Sequence, residues 1–334
     1  IPLLDEQGEL TQPGWARRLL PVYDRSRVRG GPLRLKERDC YLVMNRQCAL
    51  ALTISDNRYM GMDSISLIDL WEGWQVTRSP MRLMPLGGTG LPQSSLRGSC
   101  ARAGRGYGLL FQHEGEGRTL HAHMDRFRDG QALDAQILLT QEPEESIVMC
   151  TPFEKPGQFY FNQKINCMRA QGKVTLGDRE YVFDPEDSFA VLDWGRGVWT
   201  CRGTWYWGSA SGMVDGVPFG FNIGYGFGDT SAATENALFY GGKLHKLSQV
   251  TFHIPRKNGR EHYLAPWTFD SDDRRFRMKF RPILDRAACP SAGVVRSGQH
   301  QVFGSFTGTA VLDDGTAVRL KELLGCAEKV DDRW

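Results

Sequence analysis

The sequence lacks any apolar run approaching the ~20 residues that a membrane-spanning helix requires. Its N-terminus carries no basic-apolar-small leader pattern. Neither sign of charge dominates: 41 Lys and Arg stand against 39 Asp and Glu, a formal net charge of +2. The signs are interleaved, as in Asp125-Arg126-Phe127-Arg128-Asp129 and Asp272-Asp273-Arg274-Arg275. No basic stripe follows a phosphate backbone, which argues against nucleic acid as a partner. The eight cysteines, Cys40, Cys48, Cys100, Cys150, Cys167, Cys201, Cys289 and Cys326, form no C-x-x-C pair. Spread over 334 residues, a length that needs no stapling, they read as reduced thiols of a cytoplasmic protein. Their even number keeps a disulfide reading open. The G-x-S-x-G elbow of serine hydrolases and the Walker loop are both missing. Gly224-x-Gly226-x-Gly228 lies within a strand pattern and lacks the strand–turn–helix setting of a dinucleotide loop. No cofactor is expected. Helical periodicity is scarce, with short candidates only at Asp187–Leu192 and Thr230–Asn236.

What is present is a succession of short alternating segments and 38 glycines. Residues 1–35 are Gly-, Pro- and Arg-rich and read as an irregular lead-in. From Cys40 onward strand patterns recur at Tyr41–Met44, Ala49–Ile54, Ser64–Leu70, Gly106–Phe111, Thr119–Phe127 and Leu133–Thr140. A break at Gln141–Gly157 precedes a second series: Gln158–Ile165, Gly172–Leu176, Glu180–Phe183, Thr204–Ala210, Val217–Tyr225 and several more up to Ala317–Leu320. Asp215-Gly216 and Asp314-Gly315 mark hairpin turns. The pattern predicts an all-β chain of two antiparallel barrel- or sandwich-like halves, residues 1–155 and 156–334.

The densest chemistry lies between Asp193 and Lys243. Period-two alternation puts Phe219, Phe221, Ile223, Tyr225 and Phe227 on one face of a strand and Gly220, Asn222, Gly224, Gly226 and Gly228 on the other. A face stripped to backbone implies a close approach by a second sheet, an aromatic or a ligand. Trp205, Trp207 and Ser209 stand on the neighbouring strand. One reading is indoles packed on glycine. The other is a Trp-lined pocket in which Asn222 and Ser209 orient a small, apolar molecule. Arg196, Trp199, Tyr225, Asn162, Lys164 and Lys243 complete the candidate binding set. Asp193, Asp229 and Glu235 are the candidate acid–base residues, since a carboxylate among indoles is desolvated and its pKa rises. Against this stand ion pairs, Arg196 with Asp193 and Lys243 with Asp229 or Glu235, and a helix N-cap at Asp229-Thr230-Ser231.

Two weaker signals remain. His121, His123 and Asp125 alternate along one strand face as H-x-H-x-D, a spacing that can supply metal ligands but has no further ligand nearby. Tyr160, Asn162, Lys164 and Asn166 share a polar face opposite Phe159, Phe161 and Ile165. That face is either solvated or part of the same cleft.

The run Leu192-Asp193-Trp194-Gly195-Arg196-Gly197-Val198-Trp199 and the run Gly226-Phe227-Gly228-Asp229-Thr230-Ser231-Ala232-Ala233-Thr234-Glu235-Asn236 resemble a mainly bacterial family known as domain of unknown function 2804. Phe161-Asn162-Gln163-Lys164-Ile165, Gly242-Lys243-Leu244-His245-Lys246-Leu247, Pro266-Trp267 and Asp285-Arg286 fit the same pattern. The resemblance spans nearly the whole chain and carries no activity. In architecture and size the chain is also similar to tandem lipocalin-like proteins, including carotenoid hydratases and some cyclising enzymes. That likeness implies two β-barrels with a ligand between or inside them. Three readings follow: an acid–base enzyme for hydrolysis, hydration, dehydration or isomerisation; a lipocalin-like binder of an apolar ligand; or a scaffold or stress protein.

Overall fold

Alternating apolar and polar residues, punctuated by glycine turns, fold here into antiparallel strands throughout. A computed structural model describes residues 1–200, 202–288, 291–292 and 295–333. Cys201 and Cys289 lie outside the described residues; the six described cysteines are free thiols. Ten strands position the site: β1 Lys36–Met44, β2 Cys48–Asp56, β3 Met60–Asp69, β4 Phe159–Leu176, β5 Phe189–Val198, β6 Arg202–Val214, β7 Val217–Tyr225, β8 Phe276–Ala288, β9 Val295–Val311 and β10 Ala317–Arg333.

Strands up to Val198 form one 14-stranded sheet, with the path β3-β2-β1-β5-β4 near its middle. From Arg202 onward the strands form a 10-stranded sheet containing β7-β6-β10-β9-β8 in that order, apart from a two-stranded ribbon of Arg256–Lys257 and Arg260–Glu261. Each sheet curls around its own core. Leu50, Leu120, Phe127, Phe161 and Trp194 fill the first. Phe219, Phe221, Ile223, Trp267, Phe280 and Phe306 fill the second. The aromatic face of β7 is therefore core, as alternation requires. The two sheets pack on each other through their outer faces. Two apolar clusters seal that contact: one joins Leu42, Met44, Ile68, Val191, Trp207, Leu284 and Phe303, the other Ile147, Met149, Cys167, Ala237 and Phe239.

The structure corrects three expectations. The sheets change between Val198 and Arg202, not near residue 155. The Pro-rich break is a loop region inside the first sheet and itself contains the strand Ile147–Pro152, which pairs with β4. Proline and glycine mark turns within a sheet as readily as boundaries between sheets. The expected helices do not form: 189–198 is β5, and 229–236 is irregular. The one helical turn among the described residues is the 3-10 segment Arg25–Arg27. Finally, 158–165 and 172–176 are one strand, β4, bent at a bulge between Ile165 and Met168 where Cys167 has φ 64°. The Asp215-Gly216 hairpin forms as expected: both residues have positive φ, 49° and 78°, and Val214 pairs with Val217.

Candidate active site in the seam between the sheets

Two rows of cross-strand partners face each other between the sheets. On the first sheet the row runs Ser64 (β3), Thr53 (β2), Cys40 (β1), Asp193 (β5), Lys164 (β4). On the second it runs Arg286 (β8), Gln301 (β9), Glu328 (β10), Trp207 (β6), Gly224 (β7). The ends are anchored by contacts across the seam. Arg286 donates to Ser66 Oγ at 2.9 Å. The Lys164 ammonium lies 5.5 Å from the Trp207 ring centroid. Asn166 donates to Ser209 Oγ at 2.8 Å and to the Phe221 carbonyl at 3.1 Å. The seam is therefore polar along its middle and apolar at either side.

Asp193 is the hub. Lys164 Nζ donates to Oδ1 at 2.5 Å, and Arg38 on β1 donates to Oδ2. Burial alone would raise this carboxyl, but the Arg38 guanidinium and the Lys164 ammonium outweigh it and hold Asp193 below the usual carboxylate range. In return Lys164 is held protonated: burial opposes its charge, and Asp193 overrides burial. Burial, with the Asp193 charge added, pushes the Tyr160 phenol up to about 12. Glu328 behaves in the opposite way. Burial raises its carboxyl above the ordinary value, although Gln299 donates to Oε2 at 3.0 Å and Arg38 and Arg286 pull the other way. Gln301 donates to the same oxygen at 2.9 Å. The negative charge of Asp193 contributes to the rise. One buried seam thus holds two carboxyls whose surroundings drive their proton affinities apart.

Indole and amide extend the network. Trp207 Nε1 donates to Asn222 Oδ1 at 2.7 Å, and Asn222 Nδ2 donates to Glu235 Oε2 at 3.1 Å. Tyr160, Trp199 and Trp205 all meet Phe227 edge-on, with centroids 4.9, 5.9 and 5.1 Å apart, and Phe153 joins them. Asn162, 2% exposed, aims an Oδ1 that meets no donor among the described residues; Asn166 Oδ1 and Gln301 Oε1 are in the same state. A separate hollow of about 20 Å³ lies inside the first core, bounded by Asp39, Tyr41, Arg118 and Trp194. It has room for about one water molecule.

Of the residues anticipated from sequence, the seam gathers Asp193, Lys164, Asn162, Trp207, Ser209, Asn222 and Glu235, with Trp199 and Trp205 in the adjoining aromatic group. Four lie elsewhere. Arg196 points into the first core, where it pairs with Asp39 at 2.7 Å; it is three residues from Asp193 and so on the opposite face of β5. Tyr225 is inside the second sheet, stacked on Tyr206 with centroids 4.5 Å apart. Lys243 makes an exposed pair with Glu144 at 2.9 Å and partners neither Asp229 nor Glu235. Asp229 is exposed and accepts the Ser231 N–H at 2.9 Å. The backbone and hydroxyl of Ser231 lower its pKa, and no helix follows. The expectation that Asp193 is an acid of raised pKa is reversed by its two cations. The polar face of β4 is buried, with Tyr160 at 8% and Lys164 at 4% exposure. His123 is held between Asp134 at 2.8 Å and Asp125 at 3.0 Å, both of which raise its pKa. No group of three or more metal-ligating side chains occurs among the described residues. The sequence reading missed Arg38, Gln301 and Glu328, which no local motif marks; Arg286 appeared only within the Asp285-Arg286 part of the family pattern, with no role assigned.

Two curled antiparallel sheets in tandem, closed on each other over a buried polar seam, define a tandem lipocalin-like β protein. The whole chain, residues 1–334, matches the family described as domain of unknown function (DUF2804), and the protein belongs to that family. No curated protein matches the sequence. Among solved structures it is similar to an AttH candidate from Nitrosomonas europaea, with TM-score 0.56 and 13% identity over 98% of each chain. It is also similar to kievitone hydratase from Nectria haematococca, with TM-score 0.51 and 10% identity over 100% of this chain and 99% of that one. At such identities the likeness is one of fold. No helix among the described residues is long and apolar enough to cross a membrane.

Proposed function

We propose that the protein is an enzyme acting on a small organic molecule at the seam, adding or removing water next to a carbonyl. The observation that carries this reading is the pair Asp193 and Glu328 on the two facing rows of the buried seam, the first carboxyl lowered in pKa by its cations and the second raised by burial. Divergent carboxyls of this kind supply a base and an acid together. In the dehydrating direction, Asp193 takes the proton from the carbon beside the carbonyl. Its two cations, Arg38 and Lys164, then lose part of their partner's charge and stabilise the enolate oxygen. Glu328 gives its proton to the departing hydroxyl, which leaves as water, and solvent returns the proton from Asp193 to Glu328. The fold shared with kievitone hydratase is consistent with this chemistry as an analogy only. Binding of an apolar ligand is the second reading, favoured by the aromatic group around Phe227.

The test is solvent-deuterium exchange with a panel of β-hydroxy ketones and enones. Wild type should incorporate deuterium beside the carbonyl and interconvert the pair. Glu328→Gln should keep exchange and lose water elimination, and Asp193→Asn should lose both. Exchange unaffected by Asp193→Asn would overturn the reading, and no exchange by wild type would favour binding.

A further inference from the structure

We infer that the protein docks on an anionic lipid bilayer by one end of its first sheet, with Leu83, Met84 and Leu86 entering the headgroup layer and Arg34 and Arg97 meeting lipid phosphate. The inference goes beyond the proposed reaction and does not depend on it.

Exposed apolar side chains are the first observation. The segment from Met81 to Leu96 holds five of the sixteen exposed large apolar side chains among the described residues. Leu83 is 87% exposed, and Met81, Met84, Leu86 and Leu96 are each at least half exposed. Apolar residues scattered singly over a surface are ordinary, whereas a cluster on one segment marks a contact. The cluster is held outward by the backbone. The strand Met81–Leu83 pairs with β3, Leu83 opposite Met60. The Met84 N–H donates to the Tyr59 carbonyl and the Leu86 N–H to the Arg58 carbonyl, both at 3.0 Å. Both residues take the left-handed backbone, at φ 49° and 51°. A residue with a Cβ takes it at a cost and keeps it only where its surroundings dictate it. Asp56, fully buried, anchors the chain just behind: it accepts the Gly87 N–H at 3.0 Å and the Thr89 hydroxyl at 2.7 Å.

Charge is the second observation. Residues 80–98 include Arg82 and Arg97, residues 25–36 include four arginines and Lys36, and neither segment contains a carboxylate. Both lie at the same end of the sheet. Arg25 donates through its N–H to Gln93 Oε1 and through Nη2 to the Leu91 carbonyl, each at 2.6 Å. Leu33 and Arg34 lead into β1, whose Glu37 pairs with Asp56 beside the Arg58–Tyr59 turn. Most of these cations are spent within the protein. Arg25 pairs with Glu37, Arg82 with Asp63 and Arg27 with Asp24; Arg29 packs over Gly8 in the acidic Asp5–Glu9 turn; Lys36 is buried. Arg34 and Arg97 are exposed. Two residues beyond Arg97, Ser99 donates to the exposed Glu114 at 3.0 Å, so the cationic area is small. Burial of the apolar tip therefore carries the contact, and the two arginines set its preference for anionic lipid. A side chain as exposed as Leu83 stands clear of the surface, so its partner must yield around it. A bilayer interface does so, and its anionic headgroups attract the flanking arginines.

The experiment is flotation of the full chain with vesicles of phosphatidylcholine alone and of phosphatidylcholine with about 30 mol% phosphatidylglycerol. Wild type should bind the anionic vesicles about 10-fold or more tightly than the neutral ones, and added salt should erase the difference. The double variant Leu83→Ser, Leu86→Ser should bind both vesicles at least about 10-fold more weakly. The double variant Arg34→Gln, Arg97→Gln should lose about 10- to 30-fold on anionic vesicles and little on neutral ones. Deuterium exchange of the wild type should show vesicle-dependent protection in residues 80–98, a readout that stands even if a variant fails to fold. Absence of wild-type binding to anionic vesicles, binding undiminished by the leucine substitutions, or protection confined to other segments overturns the inference. So does concentration-dependent self-association without vesicles that the leucine substitutions abolish, since the tip would then be an interface between copies of the chain.

Discussion

Asp193 and Glu328 show what neighbours do to identical chemistry. Asp193 has its pKa lowered by its cations, so its stabilisation is fully present above the unfolded value near about 4 and is lost as pH falls through the folded value. Glu328 has its pKa raised by burial, so wild type is relatively most stable below that unfolded value and loses ground as pH rises through the folded one. The expected outcome is opposite slopes. Thermal midpoints should show the disadvantage of Asp193→Asn growing as pH rises from about 2 to about 5 and constant above that, and Glu328→Gln gaining on wild type as pH rises from about 4 to about 8. Parallel curves would refute the assignment. Part of this was legible beforehand. Alternation alone puts Arg196 on the face opposite Asp193, and Lys164 was already among the polar residues of β4. That Lys164 lies directly across from Asp193 depends on the register of β4 with β5, which no local signal encodes.

At the scale of one element, β7 is the clearest case. Its glycine face does exist because something approaches, and that something is the chain itself. A Cβ at Gly224 would lie 2.5 Å from Glu235 Oε1 and 2.8 Å from the Tyr206 carbonyl. One at Gly220 would lie 2.7 Å from Cys167 Sγ and 2.8 Å from the Ala210 carbonyl. Trp207 does not stack over these glycines; it is a same-face neighbour whose N–H is spent on Asn222. Gly224→Ala should cost about 1–3 kcal/mol, because a backbone carbonyl cannot move aside as a side-chain tip can. A urea midpoint unchanged within error would show that Glu235 is not seated there. The same reasoning explains Gly195, where a Cβ would lie 2.9 Å from the Tyr160 ring.

At the scale of the molecule, the seam is both the contact between sheets and the candidate site, so stability and function share residues. Phe303 is fully buried in the apolar cluster that closes one side of the seam, beside Leu284, Val191 and Trp207. Phe303→Ala should cost about 3–5 kcal/mol by leaving a cavity between the sheets. Trp207 belongs to that cluster, so its fluorescence should report the loosening at a lower denaturant concentration than in wild type. A variant that unfolds at the wild-type midpoint would show that this cluster does not hold the sheets together.

The sequence by itself determined that the chain is all-β and which face of Phe219–Tyr225 is core, because both follow from period-two alternation over a few neighbouring residues. At Phe227 the alternation fails, since the strand ends at Tyr225 and the ring joins Tyr160, Trp199 and Trp205 beside the seam. The sequence also marked the Asp215-Gly216 turn and the region of chain that contains Asp193. Only the tertiary structure decided where one sheet ends, since a turn signal does not say which strand comes next in the sheet. It alone decided the partners: Arg38 is 155 residues from Asp193 along the chain. Glu328 lies in a strand with no motif and acquires its character chiefly from burial beneath the facing sheet, with the Asp193 charge adding to it. Side-chain direction is local; charge environment is a property of what docks against it.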